Sequence, residues 1–215
     1  MLDARARVLD SGVFKPIADA VAELAPYRSS GQLVDFGCGT GYYLSALLRP
    51  RPRWGALAVD LSPYAVAMAR SCAPAVVGLV ADLWRPLAIR DASADVALNA
   101  FAPHNPDEFH RILKPGGTII VVTPRPEHLG ELQELGLALR VPAGKPEQLI
   151  KSFEGRFTLS TRRAVAFSAG ITAAALADII AMGPSAHHPD RLNTPSSAQL
   201  SAATVSVDVL AFARS

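Results

Sequence analysis

The sequence predicts an α/β fold, with a mostly parallel sheet of seven strands, helices on both faces and a short N-terminal helical segment over residues 1–27. Three observations predict it. Short apolar runs that end in polar residues alternate with segments of helical spacing. A glycine-rich turn joins one of these runs to a helix near residue 37. The chain of 215 residues is long enough for one such domain, which we place over residues 28–215.

The first elements in the chain are two predicted helices. Apolar residues recur at helical spacing over residues 3–25, and Ser11 and Gly12 mark a turn between the two helices. Pro16 suits the first turn of the second helix, because its missing N–H has no partner there in any helix.

The stretch LVDFGCGTGYYL, residues 33–44, is predicted to form a strand, a tight turn and a helix. Gly37, Gly39 and Gly41 follow Asp35 at alternate positions. Glycine permits a positive φ and lets a ligand approach the main chain closely. In the G-x-G-x-x-G turn of dinucleotide-binding proteins the third glycine comes one residue later. A carboxylate at the end of this strand favours a positively charged ligand over a pyrophosphate.

Polar side chains also stand at the ends of the next three predicted strands. Asp60 follows the second strand, Asp82 falls at the end of the third, over residues 75–83, and Asn99 at the end of the fourth. Ligands of open α/β sheets bind outside the carboxyl ends of the strands. We therefore expect these side chains to share one site with Asp35.

The remaining elements are predicted from the same spacing rules. In order, they are a helix over 107–113, a KPGG turn over 114–117 before a fifth strand, a helix over 128–136, a loop over 140–148, and a helix over 172–182 between the last two strands at 157–168 and 206–213. The most apolar window, 164–182, contains Gly170 and Asp178 and is interpreted as a strand and a buried helix rather than a membrane span.

Composition and charge exclude several classes of protein. Half of the residues are hydrophobic and 19% are charged, which argues against a disordered chain. The net charge of +2 neither establishes nor excludes a nucleic-acid partner. Cys38 and Cys72, the two cysteines, supply neither a disulfide framework nor a zinc knuckle, so we expect a reducing, cytoplasmic compartment and no metal. The N-terminus has no continuous apolar segment, so we expect no signal peptide and no membrane partner, while a homodimer stays open.

The glycine motif DFGCGTG resembles the first motif of class I S-adenosylmethionine-dependent methyltransferases. Asp60 lies 25 positions after Asp35, where members of that family bind the ribose hydroxyls, and Asp82 stands where a polar side chain meets the adenine amine. The resemblance implies a Rossmann-like methyltransferase fold with S-adenosyl-L-methionine as cofactor. The cofactor contacts that it implies are Asp35, Gly37, Cys38, Gly39, Gly41, Asp60, Leu61, Ala81, Asp82 and Asn99.

Further stretches resemble bacterial 23S rRNA (guanine-N1-)methyltransferases of the RlmA type, one branch of which is linked to macrolide resistance. They are ARARVLDSGVFKPI, NAFAP, LKPGG, TPRPEHLGEL and MGPSAHH. TPRPEHLGEL and MGPSAHH discriminate best, because generic methyltransferases lack them. The resemblance implies methylation of an rRNA guanine and adds cofactor contacts at Phe14 and His128. Most relatives have tyrosine where this chain has Phe14, which can stack but cannot donate a hydrogen bond. His128 has a second interpretation as a helix-capping or surface histidine.

One departure from that family concerns its small zinc-binding domain, which is assigned a role in holding RNA. This sequence begins where that domain would end. Either the domain is truncated or this homologue has lost it, and the sequence leaves both explanations open. Two alternatives to rRNA methylation therefore stand: a methyltransferase that acts on a small molecule, and a non-catalytic protein that binds S-adenosylmethionine and associates with the ribosome.

The catalytic base is not identified by any motif. A guanine must be flipped out of its stack and must lose its N1 proton, so a nearby histidine or carboxylate is needed. His104 and Asp107 follow the fourth strand and are candidates, and His128 beyond them is a further candidate. The alternative interpretations of His104 and Asp107 are an exposed loop histidine and the N-cap of the next helix. His187 and His188 lack a complete ligand set for a metal and are interpreted as a loop.

Three groups of arginines are candidate contacts for RNA phosphates. They are Arg5 with Arg7, Arg49 with Arg51 and Arg53, and Arg162 with Arg163. Contacts of this kind position a nucleic acid without reading its sequence. The alternative for each group is an ordinary solvated surface.

Overall fold

The computed structural model describes residues 1–183 and 200–215. Within them the helices are α1 (Leu2–Asp10), α2 (Lys15–Leu24), α3 (Tyr42–Leu48), α4 (Pro63–Arg70), α5 (Pro106–Ile112), α6 (Gly130–Glu134), α7 (Lys145–Phe153) and α8 (Ala173–Met182). The strands are β1 (Gly31–Phe36), β2 (Trp54–Asp60), β3 (Val76–Val80), β4 (Ala94–Ala100), β5 (Leu113–Pro124), β6 (Phe157–Gly170) and β7 (Ala202–Arg214). His187 and His188, with most of the MGPSAHH motif, lie outside the described residues.

The seven strands form one sheet in the order β3-β2-β1-β4-β5-β7-β6. Strands β1 to β5 run parallel to one another, and β7 runs antiparallel to both β5 and β6. The predicted, mostly parallel sheet of seven strands is confirmed. The strand order reverses between β1 and β4, and a crevice at the carboxyl ends of such strands is the usual ligand site of open α/β sheets.

Helices cover both faces of this sheet because successive strand residues point to opposite sides. On one face, Leu33 of β1 belongs to a buried cluster with Ile17 of α2 and Leu176 of α8. On the other face, Val34 packs in a cluster with Phe153 of α7. The prediction of helices on both faces is confirmed. The N-terminal helices share the first cluster, and the domain boundary at residue 27 stays a prediction.

The predicted turn over 114–117 and the predicted loop over 140–148 have the wrong boundaries. The KPGG segment is part of β5 rather than a turn before it, because the pairing of β4 with β5 shifts register and accommodates the extra residues as a bulge. Gly116 takes a φ of +72° in this bulge. The predicted loop over 140–148 ends at Gly144, since α7 begins at Lys145 and tolerates Pro146 in its first turn.

Arg51 is buried rather than available to an RNA phosphate. Its guanidinium donates to the backbone oxygens of Leu47 at 2.9 Å, Ala22 at 3.2 Å and Ala25 at 3.0 Å, and it lies 5.7 Å from the centroid of the Trp54 ring. These contacts tie α2 to α3 and to the start of β2. The prediction that this arginine contacts RNA is wrong, because burial and three carbonyl partners occupy it.

Other arginines of the predicted phosphate-binding groups are held in ion pairs. Arg7 contacts Asp178 at 2.6 Å, Arg162 contacts Asp208 at 2.6 Å, and Arg163 pairs with Glu23. These ion pairs neutralise the positive charges of three arginines that were predicted to contact RNA phosphates. None of the helices within residues 1–183 and 200–215 has the length and apolar character needed to cross a bilayer.

Candidate functional site

A cavity of about 590 Å³ opens at the carboxyl ends of β1, β4 and β5. Its size lies in the range of small-molecule and cofactor sites. The predicted site residues that line it are Phe14, Asp35, Gly37, Cys38, Gly39, Asn99, His104 and His128. Those that lie outside its lining are Gly41, Asp60, Leu61, Ala81, Asp82 and Asp107. The structure therefore brings together side chains from the N-terminal helices, three strand ends and the segment after β5.

The glycine turn after β1 is shaped by its three glycines. Gly37, Gly39 and Gly41 have φ angles of +80°, +51° and +79°. A Cβ atom on Gly37 would lie 2.3 Å from the Cβ of Ala102, and one on Gly41 would lie 2.8 Å from the Cα of Ala69. Glycine is therefore required at Gly37 and Gly41 for conformational and steric reasons.

Asp35 lies at the inner wall of the cavity, and only 2% of its surface is exposed. Burial, with a smaller contribution from Asp60, raises the pKa of its carboxyl to about 8. The buried carboxyl is therefore largely protonated at neutral pH in the free protein. A cation bound beside it would favour the carboxylate, as the sequence analysis expected of a positively charged ligand.

Asp60 connects the end of β2 to the glycine turn. Its Oδ2 accepts a hydrogen bond from the Gly39 N–H at 3.0 Å, and its Oδ1 accepts one from the Ser62 N–H at 2.9 Å. The carboxylate is thus placed next to the main chain of the turn, at the border of the cavity. Its oxygens keep further lone pairs for hydroxyl donors.

The remaining residues predicted beyond β2 and β3 form an open surface beside the cavity. Leu61 is 69% exposed, and the Ala81 N–H donates to the Asp60 backbone oxygen at 3.0 Å. Asp82 accepts a hydrogen bond from the Trp84 N–H at 3.0 Å. Trp84 itself lines the cavity. The tryptophan therefore links this open surface to the enclosed part of the site.

Asn99 holds the loop after β4 in place. Its buried side-chain amide donates to the backbone oxygen of Phe36 at 3.0 Å and to that of Pro103 at 2.9 Å. The amide thereby fixes residues 101–104 against the end of β1. Asn99 therefore both lines the cavity and positions this loop.

Phe101 is a site residue that the sequence analysis missed, although it lies in the NAFAP motif. It takes a φ of +54°, a conformation that is costly for a residue with a side chain. The ring is 40% exposed and lines the cavity. Its centroid lies 6.0 Å from that of His128, at an interplanar angle of 30°, and 6.1 Å from that of Tyr43. The loop thus holds an aromatic surface in the cavity, where a flat ligand can stack.

His128, a further predicted candidate for the catalytic base, lines the cavity with one ring nitrogen already engaged. Its Nδ1 accepts a hydrogen bond from the Ser206 N–H at 3.2 Å. Burial, with the nearby charge of Lys145, lowers its pKa to about 4. The imidazole is therefore neutral at pH 7 and carries its proton on Nε2. The interpretation of His128 as a surface or capping histidine is wrong, since it lines the cavity and Leu129 occupies the N-cap of α6.

We expect the His128 imidazole to show no titration between pH 5.5 and 8. Its folded-state pKa lies below the unfolded value of about 6.5, so it contributes stability that is present above that value and is lost as pH falls through about 4. Nitrogen-15 spectra recorded from pH 4 to 8, with His128→Gln to assign the resonances, measure this. A midpoint near 6.5 would contradict the burial argument.

The two predicted candidates for the catalytic base that follow the fourth strand lie in different surroundings. His104 is half-buried in the cavity, and burial followed by the charge of Lys145 lowers its pKa. Its interpretation as an exposed loop histidine is wrong. Asp107 is exposed and contacts Arg156 at 2.5 Å, outside the cavity. The predicted N-cap at Asp107 is also wrong, because Asn105 caps α5 and accepts the N–H of Glu108 at 3.4 Å.

Arg5 and Lys145, two of the basic residues that line the cavity, were not predicted as site residues. Arg5 lines the cavity, its Nη2 donates to the Met182 oxygen at 2.9 Å, and its Nη1 lies 3.5 Å from the position of a Cβ on Gly39. Burial lowers the pKa of Arg5. Lys145 lines the cavity from the first position of α7, and burial lowers its pKa. The sequence analysis gave Arg5 as a candidate contact for RNA phosphates and placed Lys145 in a loop, so the sequence pattern assigned neither residue to the cavity.

In the part of the chain that the structure describes, no group of three His, Cys, Asp or Glu side chains is arranged to hold a metal ion. The polar groups of the cavity instead suit an organic ligand with both charges. Arg5 beside the glycine turn matches a carboxylate, and Asp35 matches a cation.

Comparison with known proteins agrees with this geometry. Residues 34–121 match the family model described as a methyltransferase domain. The chain is 40% identical, over 196 residues, to the 23S rRNA (guanine(748)-N(1))-methyltransferase of Streptomyces fradiae, covering 88% of this chain and 69% of the relative. It is 34% identical, over 207 residues, to a Micromonospora griseorubida protein named for guanine-N1 methylation of 23S rRNA, covering 88% and 70%.

A solved structure supports the same fold. A geranyl diphosphate methyltransferase in complex with SAM superposes with a TM-score of 0.60, at 14% identity, over 92% of this chain and 84% of that one. At this identity the likeness concerns the fold alone.

Proposed function

Because the chain belongs to the family of 23S rRNA (guanine-N1-)methyltransferases, which depend on S-adenosylmethionine, we propose that it methylates N1 of a guanine in 23S rRNA in the cytoplasm. The observation that carries this proposal is the single cavity that joins the glycine turn and Asp35 to Phe101, His104 and Lys145. A cofactor at the turn and a flat base at the aromatic loop would share that cavity.

The cofactor is proposed to lie with its methionine end in the cavity and its nucleoside across the strand ends. Asp35 would face the ammonium group and Arg5 the carboxylate. Asp60, held by the Gly39 N–H, would accept hydrogen bonds from the ribose hydroxyls. The turn backbone, Phe14, Asn99 and His128 would contact the methionine end, and the residues beside adenine would be Leu61, Ala81 and Asp82.

The reaction requires a target nitrogen that is aligned with an already activated methyl group. Proximity and orientation in such a site supply several kcal/mol of the barrier, up to about 7–11. His104 is the residue we assign to accept the N1 proton, directly or through one water. His128 is unsuitable, because its Nδ1 already accepts the Ser206 N–H and its Nε2 carries the proton.

Phe101 is proposed to stack on the flipped guanine. Stacking of a base on an aromatic side chain contributes about 1–3 kcal/mol. We therefore expect Phe101→Ala to lower kcat/KM for RNA by about 5- to 150-fold, with little change in the Kd for S-adenosylmethionine. Tyr27→Ala is the control, since this aromatic ring is 94% exposed and lies outside the cavity lining. Equal losses in the two variants would contradict the stacking role.

The proposed function is tested with purified protein, tritiated S-adenosylmethionine and unmodified 23S rRNA. A methyl group on N1 blocks base pairing, so we expect primer extension to stop at one guanine after the reaction. Cofactor binding is measured in parallel by calorimetry. Binding without transfer to RNA would contradict the proposal. Transfer to a component of a metabolite extract, with none to RNA, would assign a small-molecule substrate instead.

A further inference from the structure

The charged residues on the wall formed by the β4 loop and the segment before α7 are cationic. Arg140 and Lys145 line the cavity there. The positive charge of Lys145 lowers the pKa of both His104 and His128. Among the described lining residues, Asp35 is the single carboxylate, and it belongs to the glycine turn. Among the described lining residues, therefore, no carboxylate lies at the Phe101 loop where it could accept a proton from a guanine.

The backbone at Lys145 is anchored in that wall. Gly144 precedes it with a φ of +76°, Pro146 follows it in the first turn of α7, and the buried Leu149 and Phe153 anchor the helix. Phe153 also stacks on Phe212 at a centroid distance of 4.6 Å. The anchored helix therefore presents Lys145 to the cavity as a half-buried cation.

The ammonium of Lys145 has no hydrogen-bonded or ion-paired partner within residues 1–183 and 200–215. A half-buried charge is unfavourable unless a counter-charge meets it. Its charge already disfavours protonation of His104 and His128. The wall is thus suited to a ligand that becomes negative during the reaction rather than to one that is positive.

We infer that Lys145 is a catalytic residue that stabilises the negative charge on guanine O6 as N1 loses its proton. This inference rests on the proposed function. The N1–H bond breaks, the proton passes to His104 or through a water, and the electron pair is shared between N1 and O6, where the ammonium donates a hydrogen bond. N1 then forms a bond to the methyl carbon, the carbon–sulfur bond breaks with its electrons on sulfur, and the neutral O6 carbonyl returns. S-adenosylhomocysteine leaves, and Lys145 is unchanged.

A contact from Lys145 to an RNA phosphate is the competing role, and kinetics separate the two. A phosphate contact weakens RNA binding and reduces its salt dependence. A contact that strengthens only as O6 becomes negative lowers the rate of the chemical step. The measured quantities are therefore the RNA Kd at two salt concentrations and the single-turnover rate at saturating RNA and S-adenosylmethionine.

The test compares Lys145→Met and Lys145→Arg with Lys151→Met, which removes an exposed lysine from the same helix, outside the cavity lining. Loss of one preorganised donor to a developing oxyanion costs about 10²- to 10³-fold. We expect Lys145→Met to lose about 100-fold in single-turnover rate, Lys145→Arg to stay within about tenfold of wild type because it keeps the cation, and Lys151→Met to be unchanged. All should bind S-adenosylmethionine normally by calorimetry.

The pH profile gives a second readout. The titratable groups that share this wall with Lys145 are His104, His128 and Arg140. Without the ammonium, N1 deprotonation becomes harder, so the rising limb of the rate should move to higher pH in Lys145→Met.

Two outcomes would overturn the inference, and a third would count against the proposed function. An unchanged single-turnover rate in Lys145→Met would show that Lys145 has no catalytic role. If the RNA Kd of that variant were also raised, Lys145 would be assigned a contact to an RNA phosphate. A Lys145→Arg variant as inactive as Lys145→Met, with normal cofactor binding, rules out a purely electrostatic role. Failure of wild-type protein to methylate guanine N1 at all would instead count against the proposed function.

Discussion

Asp35→Asn is expected to weaken S-adenosylmethionine binding by about 100-fold or more. The substitution keeps the size of the side chain and removes the charge that we propose to face the cofactor ammonium group. Loss of one partner from a buried, hydrogen-bonded charge pair costs about 2–5 kcal/mol, and each 1.4 kcal/mol is a factor of ten in Kd. Calorimetric titration measures the loss, with Asp19→Asn as a control at an exposed carboxylate on α2. A Kd within a few-fold of wild type would contradict the assignment of Asp35.

The same carboxyl links cofactor binding to protons. Its pKa of about 8 in the free protein means that it is largely protonated at pH 7, whereas a bound cation favours the carboxylate. Binding should therefore release a proton at pH 7, and the apparent enthalpy should depend on the ionisation enthalpy of the buffer. Asp35→Asn should remove this dependence in whatever binding remains.

The free energy of unfolding should also depend on pH through the Asp35 carboxyl. The folded pKa of Asp35 is raised above its unfolded value, so its contribution is fully present below pH 3.8 and is lost as pH rises through about 8. Relative to wild type, Asp35→Asn should therefore become more stable as pH rises from 5 to 8.5. Urea unfolding at both pH values measures this difference. A difference between the two proteins that does not change with pH would contradict the raised pKa.

Gly37→Ala is expected to give the second large effect, through backbone and steric strain together. A residue with a Cβ at a φ of +80° costs about 1–2 kcal/mol, and overpacking adds about 1–3 kcal/mol. The added Cβ would stand 2.3 Å from the Cβ of Ala102, so the turn or the β4 loop must move. We expect a loss of about 2–5 kcal/mol in the free energy of unfolding, with loss of cofactor binding and methyl transfer.

Gly116→Ala is the matched control for this variant. Gly116 has a similar φ of +72°, but a Cβ there would meet no atom within 4 Å. The control should show only the conformational cost and keep its cofactor affinity. If urea denaturation gave equal losses for the two variants, the close approach of the β4 loop to the glycine turn would not matter for the site.

Features of the cofactor end were predictable because they are local in the chain. The order strand, glycine turn, helix follows from a change in apolar spacing around residue 37 and from residues that tolerate positive φ. Strand ends of a parallel sheet share one edge, so Asp35 and Asp60 were expected near one another. Asp60 does bind the Gly39 N–H of the turn that follows Asp35. Whether each predicted residue contacts the cofactor stays a prediction.

Other features were less predictable because they depend on contacts that the local sequence pattern does not show. Arg7 was predicted to be a free surface cation or a phosphate contact, but it forms an ion pair with Asp178, which lies 171 positions later in the sequence. Phe101 lies in the NAFAP motif, but its exposure in the cavity follows from how Asn99 holds the loop. Asp107 resembled an N-cap, but Asn105 takes that role two residues earlier.

By itself, the sequence determined the class of fold, the glycine turn and the polar strand ends, since periodicity and backbone preference act over a few residues. Only the tertiary structure decided which arginines are held in ion pairs and that His128 is neutral with its Nδ1 bound to the Ser206 N–H. It also placed Lys145 in one cavity with His104 and His128. Burial and Coulombic interaction depend on distances between elements that lie far apart along the chain, and these distances exist only after the sheet has assembled and the helices have packed on it.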